Sequence, residues 1–174
     1  MSNYSTLIEK IDERLKQYNY FSDNEHVIPN ALFISYVKNP GLLKVRNLCA
    51  VIDIPHNLVE KDPIQRYFNF IKSNLLVEYG EAVLWKELEF CLVGLCNNEA
   101  YKVIQGEGSR IVETVSFSLN SLLGCSLINK ETFEHYDWSS WGLFFAGDHF
   151  KIISSAVEEW CQNEKKDKMI SWGL

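Results

Sequence analysis

Residues 31–55 read ALFISYVKNPGLLKVRNLCAVIDIP and contain the clearest strand pattern of the chain. Two runs rich in β-branched and aromatic residues, ALFISYVK and LLKVRNLCAVIDI, flank the tripeptide Asn39-Pro40-Gly41. Proline fixes φ near the value that a type II turn needs, and glycine accepts the positive φ that follows. Pro55 ends the second run because proline cannot donate a backbone hydrogen bond to a neighbouring strand. This segment therefore predicts a β-hairpin.

Three segments around the hairpin show the three- to four-residue apolar spacing of amphipathic helices. The first covers residues 4–18. The second lies between Asp62, a candidate N-cap followed by Pro63, and Gly80 just after its last turn. The third is capped by Asp148 and precedes a charged C-terminal segment.

Four other segments are less decisive. Residues 84–96 fit a helix or a buried strand, and their poor helix formers favour a strand over 88–95. Residues 98–105 predict a short helix that ends at the following glycine. Residues 109–123 fit a helix or a strand, with flanking glycines favouring the helix, and residues 142–146 predict a strand.

These elements predict a single α+β domain over residues 1–162 and a charged, frayed C-terminal tail over residues 163–174. No internal repeat or low-complexity linker divides the chain. Because the predicted strands are neighbours in sequence, we expect a mostly antiparallel sheet with helices packed on one face.

Composition places the chain among ordinary globular proteins and argues against several other classes. Its 174 residues are 47% hydrophobic and 23% charged, and aromatic residues make up 13%. The net charge of −6 argues against direct binding to nucleic acid or to an anionic membrane. No apolar stretch approaches the roughly 18 residues of a membrane helix, and the N-terminus has no secretory pattern.

The cysteines bear on the compartment in which we expect the protein. They are odd in number and lie mostly in apolar runs: Cys49, Cys91, Cys96, Cys125 and Cys161. A disulfide scaffold needs a dense and even set, so we expect buried free thiols and a cytoplasmic location.

The negative charge is concentrated in one part of the sequence. Residues 73–148 carry eleven acidic and four basic side chains, whereas the rest of the chain is nearly neutral. A solvated acidic surface explains this distribution, and so does an electronegative face that docks a basic protein partner.

Residues 133–150 read FEHYDWSSWGLFFAGDHF, and seven of these eighteen residues are aromatic. Phe144 and Phe145 suit a core strand, whereas the rings before them lie among Asp, Ser and Gly, as in a loop. Loop aromatics beside carboxylates resemble the hot spots of protein interfaces, although such rings also fold down onto a core. The candidate partner-binding residues are Glu131, Glu134, Tyr136, Asp137, Trp138 and Trp141.

Catalytic and metal-binding signatures are weak. His135 with Asp137, and Asp148 with His149, offer imidazole and carboxylate, but no HExxH or CxxC spacing accompanies them. With Asp148 as a helix cap, His149 is expected in the first helical turn, facing solvent. The glycine-rich stretch 106–110 lacks the residues of a phosphate-binding loop. We therefore predict no catalytic residue, no cofactor and no resident metal.

The sequence favours a non-enzymatic protein-binding domain, such as an inhibitor or immunity-type protein that binds a basic partner through an acidic, aromatic-containing face. The alternative is a small metal-dependent hydrolase or nuclease that uses Asp53, Glu87 and Glu89, with His56 nearby. That alternative requires the carboxylates to converge in one cleft. A third hypothesis, a scaffold that forms a homodimer through an exposed sheet edge, stays open.

Overall fold

A computed structural model of the chain describes residues 4–25, 28–38, 46–80, 88–116, 121–139 and 143–171. Helices and strands follow in the order α1 (Ser5–Lys16), β1 (Tyr20–Asp23), β2 (Ala31–Val37), β3 (Arg46–Asp53), α2 (Lys61–Tyr79), β4 (Leu88–Cys96), α3 (Asn98–Ser116), β5 (Ser121–Asn129), β6 (His135–Ser139) and α4 (Leu143–Ser171). The predicted turn at Asn39-Pro40-Gly41 lies outside the described residues.

The strands form one mixed sheet in which they lie side by side in chain order. The predicted hairpin is confirmed as β2 and β3, which pair antiparallel with Ser35 opposite Cys49. β1 with β2 and β5 with β6 are also antiparallel, whereas β3, β4 and β5 run parallel. The fold is therefore α+β with a mixed sheet, and the expectation of a mostly antiparallel sheet is only roughly right.

Helices connect the central strands, and this makes those strands parallel. α2 joins β3 to β4, and α3 joins β4 to β5; each helix has 19 residues. A helix that carries the chain back along the sheet brings in the next strand with the same direction as the last one. The strand favoured within residues 84–96 is confirmed as β4.

Helices cover both faces of the sheet, so the expectation of helices on one face is wrong. α2 and α3 pack over a core that includes Ile34 and Phe90. α1 and α4 pack over the opposite face, where Cys49, Val93 and Trp160 are buried. Every residue of β4 except Glu89 is buried, and a strand buried on both sides needs a covering layer on each.

The predictions agree best with the structure where a helix has one apolar face. α1 confirms the first predicted helix, and α2 stops before Gly80 as predicted. α2 begins at Lys61 with Glu60 at its N-cap, so Asp62 lies in the first turn and does not cap the helix. α3 differs, because it runs through Gly106 to Ser116 instead of ending at the glycine. A glycine inside a helix costs about 1 kcal/mol relative to alanine, a cost that packing of the helix against the sheet outweighs.

The C-terminal part of the chain holds further differences. Residues 109–123 are divided between the end of α3 and the start of β5. Residues 142–146, predicted as a strand, fall largely in the first turn of α4, which begins at Leu143. Asp148 therefore lies inside α4 and does not cap it. Periodicity cannot separate a helix from a strand in apolar runs as short as these.

α4 is longer than the sequence indicates. It has 29 residues and continues as far as Ser171, through most of the segment 163–174 that was assigned to a frayed tail. Its last turns contact the rest of the protein, since Lys168 Nζ donates to the carbonyl oxygen of Glu131 at 2.6 Å. This extension brings the end of α4 beside the connection between β5 and β6.

Gly124 of β5 lies against the ring of Phe150 from α4, and we predict that Gly124→Ala destabilises the protein. A β-carbon at this position would lie 2.3 Å from Phe150 Cδ2, closer than the two atoms can approach. Overpacking of this kind costs about 1–3 kcal/mol, which urea unfolding would measure as a lower free energy of unfolding.

Gly106→Ala is the matched control, because a β-carbon there meets nothing within 4 Å. In the interior of α3 this substitution should stabilise the protein by about 0.5–1 kcal/mol. Equal effects of the two substitutions would contradict the close contact described for Gly124.

Candidate protein-docking site

The predicted partner-binding residues fall on the turn between β5 and β6 and on β6 itself. Glu131 and Glu134 lie in the turn, and both are exposed. Three others lie within His135–Ser139, where the loop expected for the aromatic segment is instead an edge strand of the sheet. Trp141 lies outside the described residues.

Alternation along β6 divides its three candidate residues between the two faces of the sheet. Tyr136 and Trp138 are partly buried and pack against the core beneath α2 and α3. Asp137 points the other way and contacts α4. Because neighbouring residues of a strand point to opposite faces, the predicted set does not form one surface.

Both carboxylate oxygens of Asp137 accept hydrogen bonds within the protein. The Ser126 hydroxyl donates to Oδ1 at 2.6 Å, and the Ser154 hydroxyl of α4 donates to Oδ2. Ser126 has no exposed surface, so its bond to Asp137 satisfies a buried hydroxyl. These contacts tie β5 and β6 to α4.

The side chain of Asn129, which is fully buried, holds the turn between β5 and β6. Its Oδ1 accepts hydrogen bonds from the backbone N–H groups of Glu131 at 2.9 Å and Thr132 at 3.3 Å. Its Nδ2 donates to Asn98 Oδ1 at 3.0 Å, and the Asn98 N–H donates to Glu131 Oε1 at 3.2 Å. The turn is therefore fastened to the start of α3, and its carbonyl groups have defined positions.

Phe133 follows the turn in a left-handed backbone conformation, with φ at 55°. Its backbone N–H donates to the Asn129 carbonyl oxygen at 2.8 Å. Its ring packs edge-on against Trp160, with the ring centres 5.7 Å apart. Such a backbone conformation costs a bulky residue about 1–3 kcal/mol, part of which the buried ring contact offsets.

An open groove of about 520 Å³ lies between this turn and the C-terminal part of α4. We call it the acidic groove, and its lining residues are Lys130, Glu131, Phe133, Glu164, Asp167, Lys168 and Ser171. Glu164 and Asp167 were not among the predicted binding residues, because both were assigned to a frayed tail. The spacing of Glu164 and Lys168 was an available signal, since Glu four residues before Lys stabilises a helix.

Both lysines that line the acidic groove are held by contacts within the protein. Lys130 Nζ lies 2.6 Å from Asp53 Oδ1. Lys168 Nζ donates to the Glu131 carbonyl oxygen at 2.6 Å and lies 5.7 Å from the centre of the Phe133 ring. Three carboxylates and two ammonium groups line the groove, so its lining carries a small negative charge that attracts a positively charged group from another molecule.

The carboxylates of the alternative hydrolase or nuclease site do not converge. In the parallel register of β3 and β4, Asp53 lies opposite Leu95 and Asn47 lies opposite Glu89. Six residues along a strand span about 20 Å, so Asp53 and Glu89 cannot bind one metal ion. Glu87 lies outside the described residues, and within them no three His, Cys, Asp or Glu side chains could together hold a metal ion.

Polar groups at the carboxyl ends of the parallel strands bond to one another. Asp53, at the end of β3, pairs with Lys130. His56 lies in the loop after β3 and is exposed. The His56 carbonyl oxygen accepts a hydrogen bond from Asn97 Nδ2 at 2.8 Å, and Asn97 Oδ1 accepts one from the Ala100 N–H at 2.8 Å. This edge of a sheet is where α/β proteins often bind ligands, but here its side chains join α3 to the loop.

A histidine–tyrosine pair, missed from the sequence, lies between β1 and α4. The Tyr20 hydroxyl is 3.1 Å from His149 Nδ1, and the ring of Tyr18 lies 5.7 Å from the imidazole. Burial raises the pKa of Tyr20, so its hydroxyl stays protonated near neutral pH. Burial lowers the pKa of His149, while the nearby carboxylates of Asp148 and Glu89 act in the opposite direction. His149 is therefore half-buried inside α4, whereas a solvent-facing position was expected.

All five cysteines are buried free thiols, as the sequence predicts. Burial raises the pKa of Cys49, of Cys96 and of Cys161 to about 12. Because the thiolate is the nucleophilic form, these side chains are unreactive near neutral pH.

Neither models of protein families, nor curated protein sequences, nor solved structures yielded a match to this chain. Among the helices in the described ranges, none combines the length and the apolar character that crossing a bilayer requires.

Asp137→Ala should destabilise the protein, because it leaves the buried Ser126 hydroxyl without its acceptor. An unsatisfied hydroxyl costs about 1–3 kcal/mol, and the exposure of Asp137 places the expected loss at the lower end. Urea unfolding measures this loss. Glu134→Ala, at an exposed turn position, is the control and should change the free energy of unfolding by less than about 0.5 kcal/mol. Similar values for both variants would contradict the structural role of Asp137.

The buried position of His149 should make the stability of the protein depend on pH. Because the pKa of His149 is lowered in the folded state, the unfolded chain binds a proton more readily. Its contribution is therefore complete above the unfolded-state pKa of about 6.5 and is lost as the pH falls below that value. In His149→Phe, the free energy of unfolding should decrease less between about pH 7 and about pH 5 than in the wild type. An unchanged decrease would show that other groups cause it.

Proposed function

We propose that the protein is a non-enzymatic binding domain that docks a basic segment of a partner protein in the acidic groove. One observation carries the proposal: Glu131, Glu164 and Asp167 line the groove, while its two lysines are engaged in internal contacts. A lysine- or arginine-rich segment would complement the lining, in which three carboxylates outnumber two lysines. Glu134 is exposed in the same turn.

The shape of the groove supports a protein segment more than a small substrate. Sites for small molecules enclose most of the surface of their ligand, which requires a deep pocket. The acidic groove has a volume of about 520 Å³ but is wide open to solvent. A segment of a partner protein needs no enclosure, since residues on either side of it add contacts beyond the groove.

The charge of the whole chain supports a basic partner. The net charge is −6, and the excess of acidic residues lies within residues 73–148, which include the β5–β6 turn. Long-range attraction between opposite charges accelerates association and orients the two proteins. An inhibitor or immunity-type protein that neutralises a basic enzyme is one form of this function. The buried free thiols suit the reducing cytoplasm, where we place the interaction.

A lysine hexapeptide with a fluorescent label is a direct probe of this function. We expect Glu164→Gln/Asp167→Asn to weaken its binding about three- to ten-fold, because two negative charges that line the groove are removed. Fluorescence anisotropy measures the dissociation constant, and raising the salt concentration should reduce the difference between the variant and the wild type.

The matched control is Asp62→Asn/Glu78→Gln, which removes the same charge from two exposed positions of α2. α2 covers the opposite face of the sheet, so this variant should weaken binding less than about two-fold. An equal loss in both double variants would show attraction by net charge alone, and it would remove the case for the acidic groove.

A further inference from the structure

We propose that the acidic groove contains a recognition subsite for one lysine side chain, and that the protein's own Lys168 occupies this subsite when no partner is bound. The subsite consists of the Glu131 carbonyl oxygen and the ring of Phe133. This inference rests on the proposed function, because it specifies which group of the partner enters the groove and what it displaces.

The contacts of Lys168 are those that a bound ammonium group would make. Its Nζ donates to the Glu131 carbonyl oxygen at 2.6 Å and lies 5.7 Å from the centre of the Phe133 ring. A carbonyl oxygen accepts a hydrogen bond from an ammonium group, and the face of an aromatic ring attracts its positive charge. Glu164 and Asp167 line the same groove and add negative charge around this position.

Neither element of the subsite depends on Lys168 for its position. The Glu131 backbone is held by the hydrogen bond from its N–H to Asn129 Oδ1 at 2.9 Å. The Phe133 ring is only 7% exposed and packs edge-on against Trp160. If Lys168 turned towards solvent, the carbonyl oxygen and the ring would therefore stay in place for another ammonium group.

The subsite fits a lysine ammonium group, because a lysine occupies it in the structure. Lys168 Nζ donates to the Glu131 carbonyl oxygen, while Oε1 of the same residue accepts a hydrogen bond from the Asn98 N–H. The ammonium group of lysine has three N–H donors, so a partner's lysine can make the same hydrogen bond beside the Phe133 ring. A lysine of the partner would thus replace Lys168 with the same contacts.

Occupation by Lys168 lowers the affinity for the partner. A site that is filled from within the chain binds an external group only in the fraction of molecules in which it is vacant. Lys168 lies in the last turns of α4, and the rotation of its side chain is sufficient to vacate the subsite. Lys168 therefore acts as an internal competitor for the partner's lysine.

Lys168→Ala tests this competition with the labelled lysine hexapeptide, and Lys165→Ala is the control. Lys165 is exposed on the same helix, so both variants remove one positive charge near the groove. We expect Lys168→Ala to bind the lysine hexapeptide about five-fold more tightly than Lys165→Ala does, and an arginine hexapeptide serves as a second cationic probe. Adding Phe133→Leu to Lys168→Ala should abolish most of the gain, because it removes the aromatic face.

Nuclear magnetic resonance of the wild-type protein gives a second readout that needs no variant. The Phe133 ring should shift the ε-methylene protons of Lys168 upfield of those of the other lysines. Addition of the lysine hexapeptide should return this resonance towards the position typical of an exposed lysine, as Lys168 leaves the ring.

The outcomes separate this inference from the proposed function. Two results together would overturn the subsite and leave the groove as a docking site. The first is that Lys168→Ala and Lys165→Ala bind the peptide with equal affinity. The second is that the ε-methylene resonance of Lys168 stays upfield when the peptide saturates the wild-type protein. If the wild type and both variants fail to bind either peptide, the proposed function fails, and the subsite fails with it.

Discussion

The burial of β4 on both of its faces is the constraint on which the rest of the structure depends. Every residue of this strand except Glu89 is buried, so a layer of helices must cover each side of the sheet. α2 and α3 form one layer as the connections between parallel strands, and α1 and α4 form the other. The chain reaches the edge formed by β6 only after these connections are complete, through the turn between β5 and β6.

The acidic groove follows from this arrangement. α4 has to cross the sheet to cover the face opposite α2 and α3, and its 29 residues carry it past the core to the β5–β6 turn. The buried Asn129 side chain holds that turn, while Asp137 joins β6 to Ser154 of α4. Two elements that are separate in sequence are thereby held side by side, and their charged residues face a common space.

Local patterns predicted the elements whose apolar residues repeat over several turns or along a hairpin. α1, α2, β4 and the pairing of β2 with β3 belong to this group. The ends of α3, the start of α4 and the strand β6 were not predictable in this way, because tertiary contacts decide short apolar runs and glycine positions. The site shows the same limit. Of the predicted binding residues only Glu131 lines the acidic groove, whereas Glu164 and Asp167 join it only through the course of α4.

The backbone of Phe133 has a consequence for how this sequence can change. A glycine or an asparagine would accept the φ of 55° with little strain and would preserve the chain reversal. The path of the chain therefore does not require phenylalanine at this position. What phenylalanine provides, and glycine or asparagine does not, is an aromatic ring. The turn and the aromatic surface are separable traits. A descendant with glycine at position 133 would keep the turn, but it would lose both the buried ring contact with Trp160 and the aromatic surface beside Lys168.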